Sequence, residues 1–230
     1  LYHTEGMKIG LDKDLNEVRI YSAVFLSSRS VYAVSVLTGS VVTIYFLDDY
    51  SLWRNPNIRI WNMVHMEQLL LRTGAFVLHC SYLMYDGSAI LFSAPSGTGK
   101  TTQAELWKAA YHAAIINGDK AIIRRKGKIW YACGYPFHGS AVECLNLDYP
   151  IKAIVVVRQN PDDFMEELRP MRKVQAIYSE ATVNAWDTAS VNHALSLIEE
   201  LTETVTVVCQ HCTMKDEAYR TLYRYLYEEG

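Results

Sequence analysis

Runs of β-branched and aromatic residues at positions 18–21, 31–36 and 41–46 alternate with polar stretches in the first fifty residues. They predict short strands, and Thr38-Gly39-Ser40 predicts a hairpin turn between the last two. A small antiparallel sheet is expected there. The segment from Asp48 to Asn57 is polar, contains Pro56 and reads as a linker or loop. Between Asn62 and Arg72 the apolar residues Met63, Met66, Leu69 and Leu70 recur at helical spacing, which predicts a helix stopped by Gly74.

The pattern then changes. Residues 75–85 and 88–93 are apolar runs separated only by Asp86-Gly87, a strong two-residue hairpin signal. The second strand leads into a glycine loop and then a Pro- and Gly-free, Ala-rich helix ending near His112. Residues 113–117 read as a buried strand stopped by Gly118-Asp119. A second hairpin follows, 121–124 and 129–132, turning at Lys126-Gly127. Residues 134–149 form a long loop, and loops of that length without structure of their own are commonly functional. Residues 152–157 are nearly all apolar, as in a central strand covered on both faces. A loop at 160–163, helices near 171–184 and 188–201, a strand at 204–209 and a closing helix at 215–227 complete the chain.

The chemistry concentrates in Ser93-Ala94-Pro95-Ser96-Gly97-Thr98-Gly99-Lys100-Thr101-Thr102. Strand, glycine loop and helix in that order is the context of a P-loop, here in a relaxed form with Ala94 at the first glycine position. Glycines let the backbone N–H groups turn inward as an anion nest, and the helix N-terminus adds unpaired donors with partial positive charge. Pro95, Ser96, Gly97, Thr98, Gly99, Lys100, Thr101 and Thr102 are therefore the candidate nucleotide-binding residues. Lys100 would reach the β- and γ-phosphates and Thr101 would ligate Mg²⁺. Asp119, delivered by the next apolar strand, is placed to hold Mg²⁺ or to accept a proton from an attacking hydroxyl.

Bulk properties narrow the classes. The 230 residues carry a net charge of −3 with half of them hydrophobic, enough for a sizeable core and without the basic balance of a nucleic-acid binder. No apolar run approaches the roughly 18 residues of a membrane helix. The start, Leu1-Tyr2-His3-Thr4-Glu5, has no signal-peptide pattern, and its lack of Met fits a trimmed chain. Five scattered cysteines point to a reducing, cytoplasmic setting. Cys209-Gln210-His211-Cys212 contains C-x-x-C but has no second ligand pair at zinc-site spacing.

The segment from His79 through the Asp86-Gly87 turn and Ser-Gly-Thr-Gly-Lys-Thr-Thr to Asp119 resembles the kinase core shared by HPr serine kinase/phosphorylases and ATP-dependent phosphoenolpyruvate carboxykinases. The spacing from His79 to Lys100 is similar to that of the HPr kinases, above all the shorter HPr-kinase-like proteins of peptide-biosynthesis clusters. The resemblance covers residues 75–160. It implies transfer of the ATP γ-phosphate to a hydroxyl, with Asp119 as base, His79 beside it and Lys100 on the phosphates. Gly118 stands where those kinases carry a second acid, and their later Glu-x-Arg-Gly signature has no counterpart.

The expected fold is α/β: a mixed, partly antiparallel sheet carrying the P-loop in residues 61–230, preceded by a β-rich portion at 1–60. The expected function is an ATP- and Mg²⁺-dependent kinase acting on a serine of a peptide or small protein. A small-molecule acceptor and a non-catalytic ATP-binding module are the alternatives. His138 and Ser140 in the long loop are candidates for the acceptor site, and Arg158 for a phosphate contact. Neither a nucleic-acid nor a membrane partner is expected, and a homo-oligomer is compatible with this reading.

Overall fold

The computed structural model describes all residues except 1, 5, 26–27, 47–59, 62, 138–143, 214, 216–217 and 229–230. The expected loop at 48–57 thus lies wholly outside the described residues, as do His138 and Ser140. The chain forms two compact units, Leu1–Leu69 and Leu70–Gly230.

In the first unit, β1 (Tyr2–Thr4), β2 (Met7–Leu11), β3 (Glu17–Phe25), β4 (Ser28–Thr38) and β5 (Val41–Phe46) form an antiparallel sheet in sequence order. The turn at Gly39-Ser40 pairs Thr38 with Val41. Along β4 every second residue, Ala33, Ser35 and Leu37, is buried, the period expected of a sheet with one covered face. Polar chemistry is also buried here. Glu17 accepts from Arg19 Nε at 2.6 Å, and Arg19 also bonds Glu67, while His65 lies 2.7 Å from Ser35 Oγ and 3.0 Å from Glu17. Burial pushes the Glu17 carboxyl up, but His65 and Arg19 overcome that and hold it below its ordinary value. The helix α1 (Met66–Arg72) ends before Gly74, whose φ of 69° suits glycine.

The second unit is built on β6 (Ala75–Tyr85) and β7 (Ser88–Ser93). Their turn residues Asp86 and Gly87 both have positive φ, 48° and 69°, as a tight two-residue hairpin requires. The glycine loop leads from β7 to α2 (Lys100–Tyr111). That helix buries Lys100, Gln103, Ala104 and Trp107, one face at i, i+3, i+4, i+7, and stops at His112 in the left-handed region. Then come β8 (Ala114–Asn117), β9 (Lys120–Lys126), β10 (Ile129–Cys133), β11 (Tyr149–Gln159), β12 (Phe164–Glu167), α3 (Pro170–Glu180), β13 (Ala181–Thr182), α4 (Thr188–Thr204), β14 (Thr206–Cys212) and α5 (Ala218–Tyr227).

The sheet order is β10-β9-β6-β7-β11-β14-β12, with β8 and β13 also on β6. β7, β11 and β14 are parallel neighbours, whereas β6 is antiparallel to β7. The sheet is therefore mixed, as expected. Side chains alternate between two apolar cores: Ala89 and Leu91 face one, Ile90 and Phe92 the other. Burying a side chain the size of Ile90, Leu91 or Phe92 stabilises by about 1.5–3 kcal/mol. Among the described residues, no helix is long and apolar enough to cross a membrane.

Gly118-Asp119 stops β8, as expected, and interrupts one line of pairing: β8 and β9 run along the same edge of β6, Asn117 opposite Tyr82 and Lys120 opposite His79. Some local expectations differ from the structure. The β9–β10 turn falls at Gly127-Lys128, with Lys126 still paired to Ile129. β11 begins at Tyr149 rather than 152, and the edge strand β12 and the short β13 were not expected. Cys209 and Cys212 belong to opposite cores, so the C-x-x-C stretch is two apolar thiols on opposite faces of β14, not a paired site.

Candidate active site

The pairing of β6 assembles the site. Up to His79 this strand pairs with β9; from Cys80 onward it pairs with β7. Cys80 opposite Ser93 brings the glycine loop to one side, and His79 opposite Lys120 brings Asp119 to the other. Since β7 and β8 both run antiparallel to β6, their C-terminal ends open at the same edge, where open α/β sheets bind ligands.

The loop has the geometry of an anion cradle. Gly97 and Gly99 take φ of 79° and 109°. The first turn of α2 has no capping side-chain hydrogen bond and no acidic residue of its own, so its N–H donors have no side-chain cap. Lys100 Nζ folds back onto the carbonyls of Ala94 at 2.6 Å and Pro95 at 3.2 Å. Burial lowers its pKa, opposed by Glu180, Cys80 and Asp119. Thr101 Oγ1 lies 3.4 Å from Ser81 Oγ, which donates to the carbonyl of Gly118 at 3.2 Å. A cavity of about 280 Å³ is lined by His79, Gly97, Lys100, Thr101, Gly118 and Asp119, together with Ser96, Gly99 and Thr102. Pro95 and Thr98 of the loop face a second cleft instead.

Asp119 is set by Asn117, a buried residue that sequence reading passed over. Its Oδ1 accepts from the backbone N–H of Asp119 and Lys120, at 2.9 and 3.0 Å, and its Nδ2 donates to the carbonyls of Tyr135 and Phe137. One amide thus fixes both the Asp119 turn and the start of the long loop. His79 Nε2 lies 3.7 Å from Asp119 Oδ1. On its other side Nδ1 is 2.8 Å from Glu180 Oε2, at the last turn of α3. Glu180 had no local sequence signal; it arrives from 101 positions away because α3 packs over the sheet and β13 pairs with β6 beside His79.

The second cleft, about 570 Å³, lies along the same loop, between the end of β11 and α3. His79 lines the first cavity and Glu180 the second, so their pair stands at the boundary between the two. Arg158, expected near phosphate, lines the second cleft, with Nη1 3.6 Å from Glu166 Oε2.

The donor set suits Mg²⁺ with a polyphosphate: hard oxygens on Thr101 and Asp119, and an uncapped helix N-terminus beside a lysine. No protein-family model matches the chain, and no curated protein matches it in sequence. Among solved structures it is similar to the HPr(Ser) kinase/phosphatase from Coxiella burnetii, at 12% identity over 40% of this chain and 72% of that one, with a TM-score of 0.28. A likeness that slight carries no assignment.

Proposed function

We propose that this chain is an ATP- and Mg²⁺-dependent kinase that phosphorylates a hydroxyl, most plainly a serine of a peptide or small protein. One observation carries the reading: an uncapped glycine loop, Lys100, Thr101, Asp119 and the His79–Glu180 pair converge on one sheet edge, with a second cleft adjoining. The loop acts as a P-loop. Its N–H groups and Lys100 bind and orient the phosphates, and phosphoryl transfer asks mainly for such positioning and charge neutralisation. Thr101 would hold Mg²⁺ directly and Asp119 through a water, and the ion would neutralise charge on the phosphate oxygens.

Asp119 acts as the base. It accepts the hydroxyl proton as the new O–P bond forms and the bond from the γ-phosphorus to the β–γ bridging oxygen breaks, releasing ADP. A positioned base contributes about 10²–10⁴-fold. Glu180 accepts from His79 Nδ1–H and so turns Nε2 toward Asp119. Lys100 exchanges its loop carbonyls for phosphate.

The test is to incubate the purified chain with Mg²⁺-ATP and serine peptides and to follow peptide mass. A gain of one phosphate that requires Mg²⁺ supports the reading. Tight nucleotide binding with no transfer to peptides or small alcohols would leave a binding module instead.

A further inference from the structure

One face of α3 is unaccounted for. Among its residues Ile177 is buried, whereas Arg172, Gln175, Ala176, Ser179 and Glu180 line the second cleft. Their spacing, i, i+3, i+4, i+7, i+8, is a single helical stripe, and it is polar along nearly its whole length. It begins at a cation and ends at the carboxylate that holds His79. Arg158, at the end of β11, adds a second guanidinium to the cleft. The two arginines are not equivalent. Arg158 faces Glu166 at 3.6 Å, whereas Arg172 feels the same carboxylate only through its field and donates to the Gln175 amide at 3.0 Å.

The stripe sets a length. Arg172 and Glu180 are eight positions apart, about 12 Å along the helix axis at a rise of 1.5 Å per residue. An extended peptide covers that span in about three to four residues at 3.3 Å each. Gln175 and Ser179, between the ends, offer side-chain donors and acceptors to a backbone lying alongside.

We propose that the second cleft binds the acceptor as an extended peptide whose acidic side chain, three or four residues from the acceptor serine, is held by Arg172 with help from Arg158. The inference rests on the kinase reading for the serine's place beside Asp119 and His79. The acid's place depends only on the stripe and the arginine charges. A guanidinium binds a carboxylate bidentately, which gives direction as well as affinity.

The experiment is a binding scan read separately from transfer. Fluorescein-labelled serine peptides, otherwise neutral, carry one Asp at each position from one to seven residues on either side of the serine. Anisotropy with the full chain reports affinity, and mass spectrometry with Mg²⁺-ATP reports transfer. The expected result is about tenfold tighter binding for Asp three or four residues away on one side, an increment typical of a charged hydrogen-bonded pair. That gain disappears in Arg172→Gln. Arg172→Glu reverses it, favouring peptides with Lys at the same offset. Both substitutions are on an exposed side chain, and circular dichroism checks the fold. Equal binding of acidic and neutral peptides, a preference independent of offset, or a preference that survives Arg172→Gln would overturn the inference. If neutral peptides are phosphorylated as well as acidic ones, the kinase reading stands and this one fails. If acidic peptides bind at the stated offset and none is phosphorylated, the groove stands and the kinase reading fails.

Discussion

His79 Nδ1 and Glu180 Oε2 meet at 2.8 Å, joining β6, the partner of the strand that leads into the glycine loop, to the end of a helix far along the chain. The contact fixes which ring nitrogen faces Asp119. Glu180→Gln keeps the shape but lets the amide donate as well as accept, so the ring loses its bias. We expect kcat to fall about 10–100-fold, with the nucleotide KM nearly unchanged, as for a group that orients another. Side-chain ¹H–¹⁵N correlation of His79 should show mixed tautomers in the variant and one in the parent. An unchanged tautomer and rate would mean the contact is only structural.

Lys100 sits on two loop carbonyls with its pKa lowered chiefly by burial. Lys100→Ala should weaken Mg²⁺-ATP binding about 10–100-fold, the loss expected for charged hydrogen bonds. The sign of its pH effect follows from the lowered value. The folded protein holds this proton less well than the unfolded chain, so the charge opposes folding at neutral pH, and the opposition fades as pH rises toward 10.5. Urea titrations at neutral and alkaline pH should therefore show Lys100→Met closing on or passing the parent at neutral pH, and losing that relative gain at the alkaline end.

Asn117 makes four hydrogen bonds to backbone groups from one buried amide. Asn117→Ala leaves buried backbone groups unpaired and should cost about 3 kcal/mol in denaturant unfolding. It should also release Asp119, lowering transfer more than nucleotide binding. At Gly134 an added Cβ would lie 2.5 Å from the Leu145 carbonyl and 2.9 Å from Asn146 Cα. Both obstacles are backbone, so Gly134→Ala should cost about 1–3 kcal/mol.

What the sequence disclosed was local. The Asp86-Gly87 turn, the glycine loop and the helix after it follow from short patterns whose physics acts between near neighbours. So does the placement of Asp119 at the end of an apolar strand. His79 needed a resemblance, since a strand histidine has no signal of its own. Glu180, Arg172 and the second cleft were not legible, because α3 reaches the site through packing and no pattern in residues 170–180 says which edge it will cover. That Gly118-Asp119 stops β8 was legible, but that β9 then continues along the same edge of β6 was not, because it depends on the pairing with β6.

The first unit has its own pH dependence. Glu17 is buried, and although burial opposes its charge, His65 and Arg19 leave its pKa below the ordinary 4.5. A lowered carboxylate contributes stability that is present above 4.5 and is lost as pH falls through the folded value. The protection of β3 and β4 amides against hydrogen exchange, taken relative to the intrinsic rate at each pH, should therefore fall below about pH 4.5. Glu17→Gln should cost about 3 kcal/mol at neutral pH, by stranding part of a buried ion network, and should flatten that acid dependence. An unchanged acid profile in the variant would assign the transition to other carboxylates.

The most direct test compares γ-phosphate transfer to a serine peptide by the parent and by Asp119→Asn at saturating Mg²⁺-ATP. The asparagine keeps the backbone bonds to Asn117 and Cys80 but cannot take the proton. The account predicts transfer lowered by at least about 10²-fold with nucleotide binding held within a few-fold of the parent. Transfer at the parent's rate would contradict it.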